Sequence, residues 1–61
     1  MIGLSPREKQ VMDLLAQGKR DKDIAAVLGI SPRTAQKHVG GACNKLGAQT
    51  RAEATAIYVR R

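Results

Sequence analysis

The sequence predicts an all-α domain of four short helices. Three observations carry that prediction: four helix-start signals along the chain, glycines that close the segments they open, and no alternating apolar run or Asn-Gly turn of the kind that marks strands. The first signal is Ser5-Pro6-Arg7-Glu8, which puts a hydroxyl at an N-cap, proline at the first helical position and glutamate three residues after the cap. Val11, Leu14 and Leu15 then form an inward face, and Gly18 reads as the left-handed residue past the end, so helix one is expected over roughly 5–17. Asp21 is expected to cap a second helix, roughly 21–28, whose inward residues are Ile24, Ala25 and Leu28 and whose stop is Gly29. Ser31-Pro32-Arg33 opens a third, roughly 32–46, closed by Gly47. Thr50-Arg51-Ala52-Glu53 is a further capping box, and Ala54, Ala56, Ile57, Tyr58 and Val59 continue it as a fourth helix over roughly 51–59. The Ser-Pro-Arg recurrence is two local capping solutions and not a repeat, because its period recurs nowhere else.

Sixty-one residues make at most one small domain, spanning 1–61. A chain this short buries only about 60% of the surface its unfolded form exposes, which leaves little core to wall off a substrate pocket and argues against an enzyme. Cys43 is the single cysteine and His38 the single histidine, so neither a disulfide framework nor a ligand set for a structural metal is available, and no cofactor is implied. The longest apolar run, Ile24 to Leu28, is far short of the ~20 residues that span a bilayer, and no signal peptide is recognisable. A soluble, cytoplasmic chain is expected. Eleven Lys and Arg against five Asp and Glu give a net charge of +6, which favours an anionic partner. A membrane surface would require large apolar anchors beside the basic residues, and single-stranded nucleic acid would require stacking platforms; Tyr58 is the lone aromatic.

Only Gly29, Ile30 and Ser31 separate helices two and three. A small residue where two helices cross (Ala25), a residue tolerant of positive φ in the turn (Gly29) and apolar residues closing the corner (Ile24, Leu28, Ile30) are what a helix-turn-helix needs, although an ordinary αα corner meets the same description. Charge sharpens the reading. No acidic residue lies between Asp23 and Glu53, whereas Arg33, Lys37, Lys45 and Arg51 all do. On a helix starting near Pro32, Arg33, Lys37, Gly40 and Asn44 form one stripe with Gln36 beside it, opposite Ala35, Val39, Ala42 and Leu46. Arginine and lysine can reach guanine acceptors and glutamine can bond adenine bidentately, so the stripe suits a DNA groove; the plain alternative is a solvated face.

Leu4-Ser5-Pro6-Arg7-Glu8, Asp23-Ile24-Ala25, Leu28-Gly29-Ile30-Ser31, Thr34, His38-Val39 and Lys45-Leu46-Gly47 together resemble the LuxR/GerE-type helix-turn-helix domain of bacterial transcription regulators, over residues 4 to about 58. The resemblance implies sequence-specific binding of double-stranded DNA, with the third helix in the major groove and the fourth supporting a homodimer on DNA. It also implies a setting in the bacterial nucleoid and, in most such proteins, an N-terminal regulatory domain outside a segment like this one. Carried over residue by residue, the base-reading positions fall on Gln36, Lys37 and Gly40, and the phosphate contacts on Lys22, Ser31, Arg33, Thr34 and Lys45. Lys19 and Arg20 lie in the loop ahead of the second helix, where they either add to the phosphate contacts or, as the plainer reading, stay solvated. Ala54, Ile57 and Tyr58 are the candidates for dimer contacts, with Ile57 and Tyr58 equally readable as core.

The departures from the family pattern concentrate in the third helix. Ala35 stands where a larger aliphatic is usual, and Gly40, Gly41, Ala42 and Cys43 replace polar and bulky residues. Two interior glycines oppose helix formation by about 2 kcal/mol, so the helix is expected to be loosely held past Val39. Gly40 also removes a side chain from a base-reading position, which raises an alternative function: a helix-turn-helix fold reused as a protein-interaction module. His38 and Cys43 read as packed structural residues. Met1, followed almost at once by the first helix, fits either an excised C-terminal domain or a small free-standing protein.

Overall fold

A computed structural model describes residues 3–60; Met1 lies outside the described residues. Four helices follow in order, α1 (Pro6–Ala16), α2 (Asp21–Leu28), α3 (Pro32–Leu46) and α4 (Arg51–Arg60), and there is no strand among the described residues. The caps explain most of the boundaries. Ser5 accepts the Glu8 N–H at 3.1 Å while the Glu8 carboxylate accepts the Ser5 N–H at 2.8 Å, so the capping box of α1 closes in both directions. Ser31 accepts the Thr34 N–H at 3.1 Å to start α3, and Gly47, at φ +70°, ends it by letting the Ala48 N–H turn back to the Cys43 carbonyl at 2.9 Å.

Two caps differ from their sequence reading. Arg20, not Asp21, occupies the N-cap of α2, and Asp23 supplies the carboxylate that accepts the Arg20 N–H at 3.3 Å. Asp21 instead turns to the Arg51 guanidinium, whose two charge-assisted bonds outweigh one backbone N–H. At α4, Thr50 accepts the Glu53 N–H at 3.1 Å, but Glu53 reaches one residue further back and accepts from Gln49, at 2.7 Å, in place of Thr50.

α3 is the central element and packs against the other three. Its apolar face divides between two clusters. Ala35 and Val39 join Val11, Ile24 and Ala25, while Ala42 and Leu46 join Leu4, Met12 and Ala54; Leu15 and Cys43 pack against both. α1 is wedged between the clusters, which is why the consecutive residues Val11 and Met12 both have no exposed surface. A single-face reading of α1 finds Val11 and overlooks Met12. Ala54, one of the candidates for dimer contacts, is likewise fully buried and packs in the second cluster. Ile57 and Tyr58 are half-buried against the second cluster, and the Tyr58 hydroxyl donates to the Asp13 carboxylate on α1.

The expected loosening past Val39 meets a different picture. α3 runs unbroken through Gly40 and Gly41 to Leu46, with Ala42 at 0% and Leu46 at 8% exposure. Gly41 has a packing reason: a Cβ there would lie 2.7 Å from Oε2 of Glu8, so the missing side chain makes room for that carboxylate. Glu8 uses its other oxygen to accept from the Lys45 ammonium, one turn further along α3, at 2.8 Å. At position 41, the place of the missing side chain is taken by a carboxylate reaching across from α1.

Candidate nucleic-acid interface

The corner between α2 and α3 is built as the spacing requires. Ala25, 3% exposed, sits at the helix crossing; Gly29 takes φ +68°; and the Ile30 N–H closes back on the Ala25 carbonyl at 3.0 Å. Any side chain at position 29 would be strained in this left-handed conformation. Three residues later α3 begins, and the corner presents its first turns outward.

Along α3 the buried and exposed faces separate cleanly. Ala35, Val39, Ala42 and Leu46 are buried, while Arg33, Gln36, Lys37, Gly40 and Asn44 are exposed. Arg33, Lys37 and Lys22 on the neighbouring turn of α2 are paired with no carboxylate among the described residues, so their charge is available to an external anion. Ser31 and Thr34 sit at the N-terminus of α3 with their hydroxyls 2.9 Å apart, each engaged in the cap. Gly40 has nothing within 4 Å of the place a Cβ would occupy. His38 is half-buried at the edge of the apolar face. The structure therefore brings Lys22, Ser31, Arg33, Thr34, Gln36, Lys37 and Gly40 onto the α2–α3 corner and the outer face of the helix that follows. Lys45 is different: it lies in the last turn of α3 and is tied to Glu8.

Two ion pairs among the described residues brace this surface, and neither is visible as a sequence motif. Their partners stand 37 residues apart for Lys45 and Glu8 and 30 apart for Arg51 and Asp21. The second pair is bidentate, with both guanidinium to carboxylate distances at 2.7 Å, and it ties the start of α2 to the start of α4. The Lys45 ammonium, aided by the Ser5 N–H, holds the Glu8 carboxyl below its ordinary value of 4.5. Arg51, with a smaller contribution from the Gln36 side chain, holds Asp21 below its ordinary 3.8, and Asp21 raises Arg51 in return.

Both carboxyls bind protons less readily folded than unfolded, so they stabilise the fold above their ordinary values and lose that contribution as pH falls through the lowered ones. The thermal midpoint should therefore hold level on acidification to about pH 5 and drop steadily below it. Glu8→Gln combined with Asp21→Asn should flatten that drop, and an unchanged acid profile in the double variant would show that these pairs do not set it.

Sequence comparison agrees with the geometry. Residues 3–58 match the family model described as bacterial regulatory proteins, luxR family. The chain is 42% identical over 57 residues to the transcriptional activator protein BjaR1 of Bradyrhizobium diazoefficiens, an alignment covering 93% of the chain and 24% of that protein. It is 40% identical over 57 residues to the spore germination protein GerE of Bacillus subtilis, covering 93% of the chain and 77% of GerE. With the transcriptional regulatory protein UhpA of Escherichia coli it shares 50% identity over 44 residues, 72% of the chain and 22% of UhpA. It thus spans about a quarter of the length of BjaR1 and UhpA, and most of GerE. In three dimensions it matches the solved structure of the transcription factor GerE with a TM-score of 0.86 at 33% identity, over 93% of this chain and 85% of that one.

Proposed function

The chain belongs to the luxR family of bacterial regulatory proteins as a helix-turn-helix DNA-binding domain, and on that premise we propose that it binds duplex DNA with α3 in the major groove. The single observation that carries this placement is the face of α3 that exposes Arg33, Gln36 and Lys37 while burying Ala35 and Val39 beneath them. Gln36 and Lys37 read base edges, and the bare backbone at Gly40 lets the helix lie close to the duplex. Lys22 and Arg33 neutralise phosphates, and the N-terminus of α3 with Ser31 and Thr34 offers hydrogen bonds to phosphate oxygens. Lys45 acts chiefly through Glu8, holding α1 against the C-terminal half of α3.

A second copy, added through the outer side of α4, would place two such helices about one helical turn of DNA apart. Half-buried Ile57 and Tyr58 and the 65% exposed Val59 supply the contact surface, without Ala54. Among the described residues no helix is long and apolar enough to cross a membrane.

Amide-resolved NMR with a mixed pool of short duplexes tests the placement. Shifts concentrated on Lys22, Arg33, Thr34, Gln36 and Lys37, weakening as salt rises, support it. Shifts confined to α4, or none, favour the reading as a protein-interaction module. Gly40→Lys gives an independent check, because the open space at that position admits the side chain without disturbing the fold. The variant is expected to bind DNA more tightly, with the logarithmic salt slope steeper by about 0.9 for the added phosphate neutralisation. An unchanged slope in that variant would put position 40 away from the duplex.

A further inference from the structure

We propose that Arg51, the first residue of α4, is a further contact to the DNA backbone, and that Asp21 is a positioning residue holding its guanidinium toward a phosphate oxygen. This rests on the reading that the α2–α3 corner binds duplex DNA, and it extends the contact surface to a third helix. The two Asp21 carboxylate oxygens accept from Nη1 and Nη2 of Arg51, each at 2.7 Å. The aspartate side chain is 18% exposed and the arginine 45%, so the inner end of the pair is covered and the guanidinium stays open to the outside. A guanidinium carries five N–H donors in one plane, and this fork uses two of them. The other three, one on each Nη and one on Nε, meet no acceptor among the described residues.

Location decides what those donors can meet. The first helix of a helix-turn-helix crosses the DNA backbone, and Asp21 and Lys22 open that helix here. α2 and α4 each pack on α1 and α3 but not on one another, so it is the Arg51 side chain that brings a residue of α4 to the start of α2. On the α2 side, Lys19, Arg20 and Lys22 are exposed and in no ion pair among the described residues. The carboxylates next along the two helices are committed elsewhere: Asp23 accepts the Arg20 N–H at 3.3 Å and Glu53 the Gln49 N–H at 2.7 Å. An arginine already gripped in a fixed plane has less side-chain freedom to lose when it meets a phosphate. The contact differs in kind from those of Lys22 and Arg33. Asp21 offsets most of the charge, so Arg51 contributes directed hydrogen bonds more than counterion release, and it does so for every sequence alike.

A methylphosphonate scan tests this on a duplex enriched by the wild-type chain from a randomised pool, with phosphates made neutral one at a time and affinity read by fluorescence anisotropy. One phosphate, outside those that fall silent in Lys22→Met and Arg33→Met, is expected to weaken wild-type binding when neutralised. It should fall silent in the double variant Asp21→Asn with Arg51→Met, which leaves the net charge as it is. Affinity of that variant should drop about tenfold for selected and unselected duplexes alike, the size of one hydrogen bond to a charged group. Its logarithmic salt slope should change by less than the ~0.9 of a full phosphate neutralisation. Arg51→Lys, which keeps the charge on a compact head without the fork, guards against misfolding and should shrink the effect at the same phosphate. In Asp21→Asn alone that effect should also shrink, although the domain gains a positive charge; an effect that grows there overturns the positioning role of Asp21. A scan unchanged in both the double variant and Arg51→Lys overturns the contact while leaving duplex binding in place. A wild-type chain that enriches no duplex removes the reading on which the proposal rests, and the proposal with it.

Discussion

Ile24→Ala is expected to remove most of the stability of the domain. Ile24 has no exposed surface and lies among Val11, Ala25, Ala35 and Val39. Two of those four neighbours are alanines with nothing to extend into the space left behind, so the cavity should persist, and truncating a buried isoleucine costs about 2–5 kcal/mol. A domain of 61 residues has of the order of 3–9 kcal/mol in total. Urea denaturation followed by circular dichroism should show the midpoint falling by half or more. Ile24→Val, which keeps most of the volume, should cost about 0.5–1.5 kcal/mol. A loss for alanine no greater than that for valine would mean that the α2–α3 corner collapses onto the vacancy and is not the stable centre described above.

Lys37→Glu should have the largest effect on DNA binding while leaving the fold intact. The side chain is exposed in the middle of the outer face of α3 and is paired with no carboxylate among the described residues, so its replacement should alter unfolding free energy by no more than about 0.5 kcal/mol. Its expected contribution to binding is a base-edge contact worth about 1–3 kcal/mol, and glutamate adds repulsion from the surrounding phosphates. Affinity for duplex DNA measured by fluorescence anisotropy should fall about 100-fold. Lys9→Glu, on the exposed side of α1, makes the same change in net charge and serves as the comparison. Equal losses in the two variants would reduce α3 to a general electrostatic effect.

What the sequence discloses about this molecule is what it encodes locally. The bounds of α3 fall at 32 and 46 because Ser31 and Gly47 act within one turn of the residues they cap. The same holds for the α2–α3 corner, where Ala25, Gly29 and Ile30 meet within six residues of chain. The outward placement of Arg33, Gln36 and Lys37 follows from helical periodicity alone. Interactions between distant segments are not encoded that way. Glu8 reads as half of a capping box, which it is, but nothing near it in the chain announces Lys45 or the empty place at Gly41. Asp21 reads as a cap because acidic residues favour helix starts, and its diversion to Arg51 depends on where α4 begins in space. Met12 was hidden because α1 faces two clusters at once, a geometry no single stripe describes. The burial of Ala54 likewise follows from α4 packing onto α1 and α3, not from its own spacing.

The carboxylate of Glu8 meets two neighbouring positions of α3, 41 and 45, that are remote from it in the chain. Alanine at 41 would gain helix propensity in isolation, yet here it would press on an oxygen of a side chain that is already committed to Ser5 and Lys45. A shorter or neutral residue at 8 would relieve that pressure and at the same time leave Lys45 without its partner. Positions 8, 41 and 45 therefore do not accept substitutions independently: the effect of each depends on what occupies the other two. The glycine that weakens α3 when taken alone is the residue that leaves room for the present glutamate carboxylate and, through it, for the bond to Lys45.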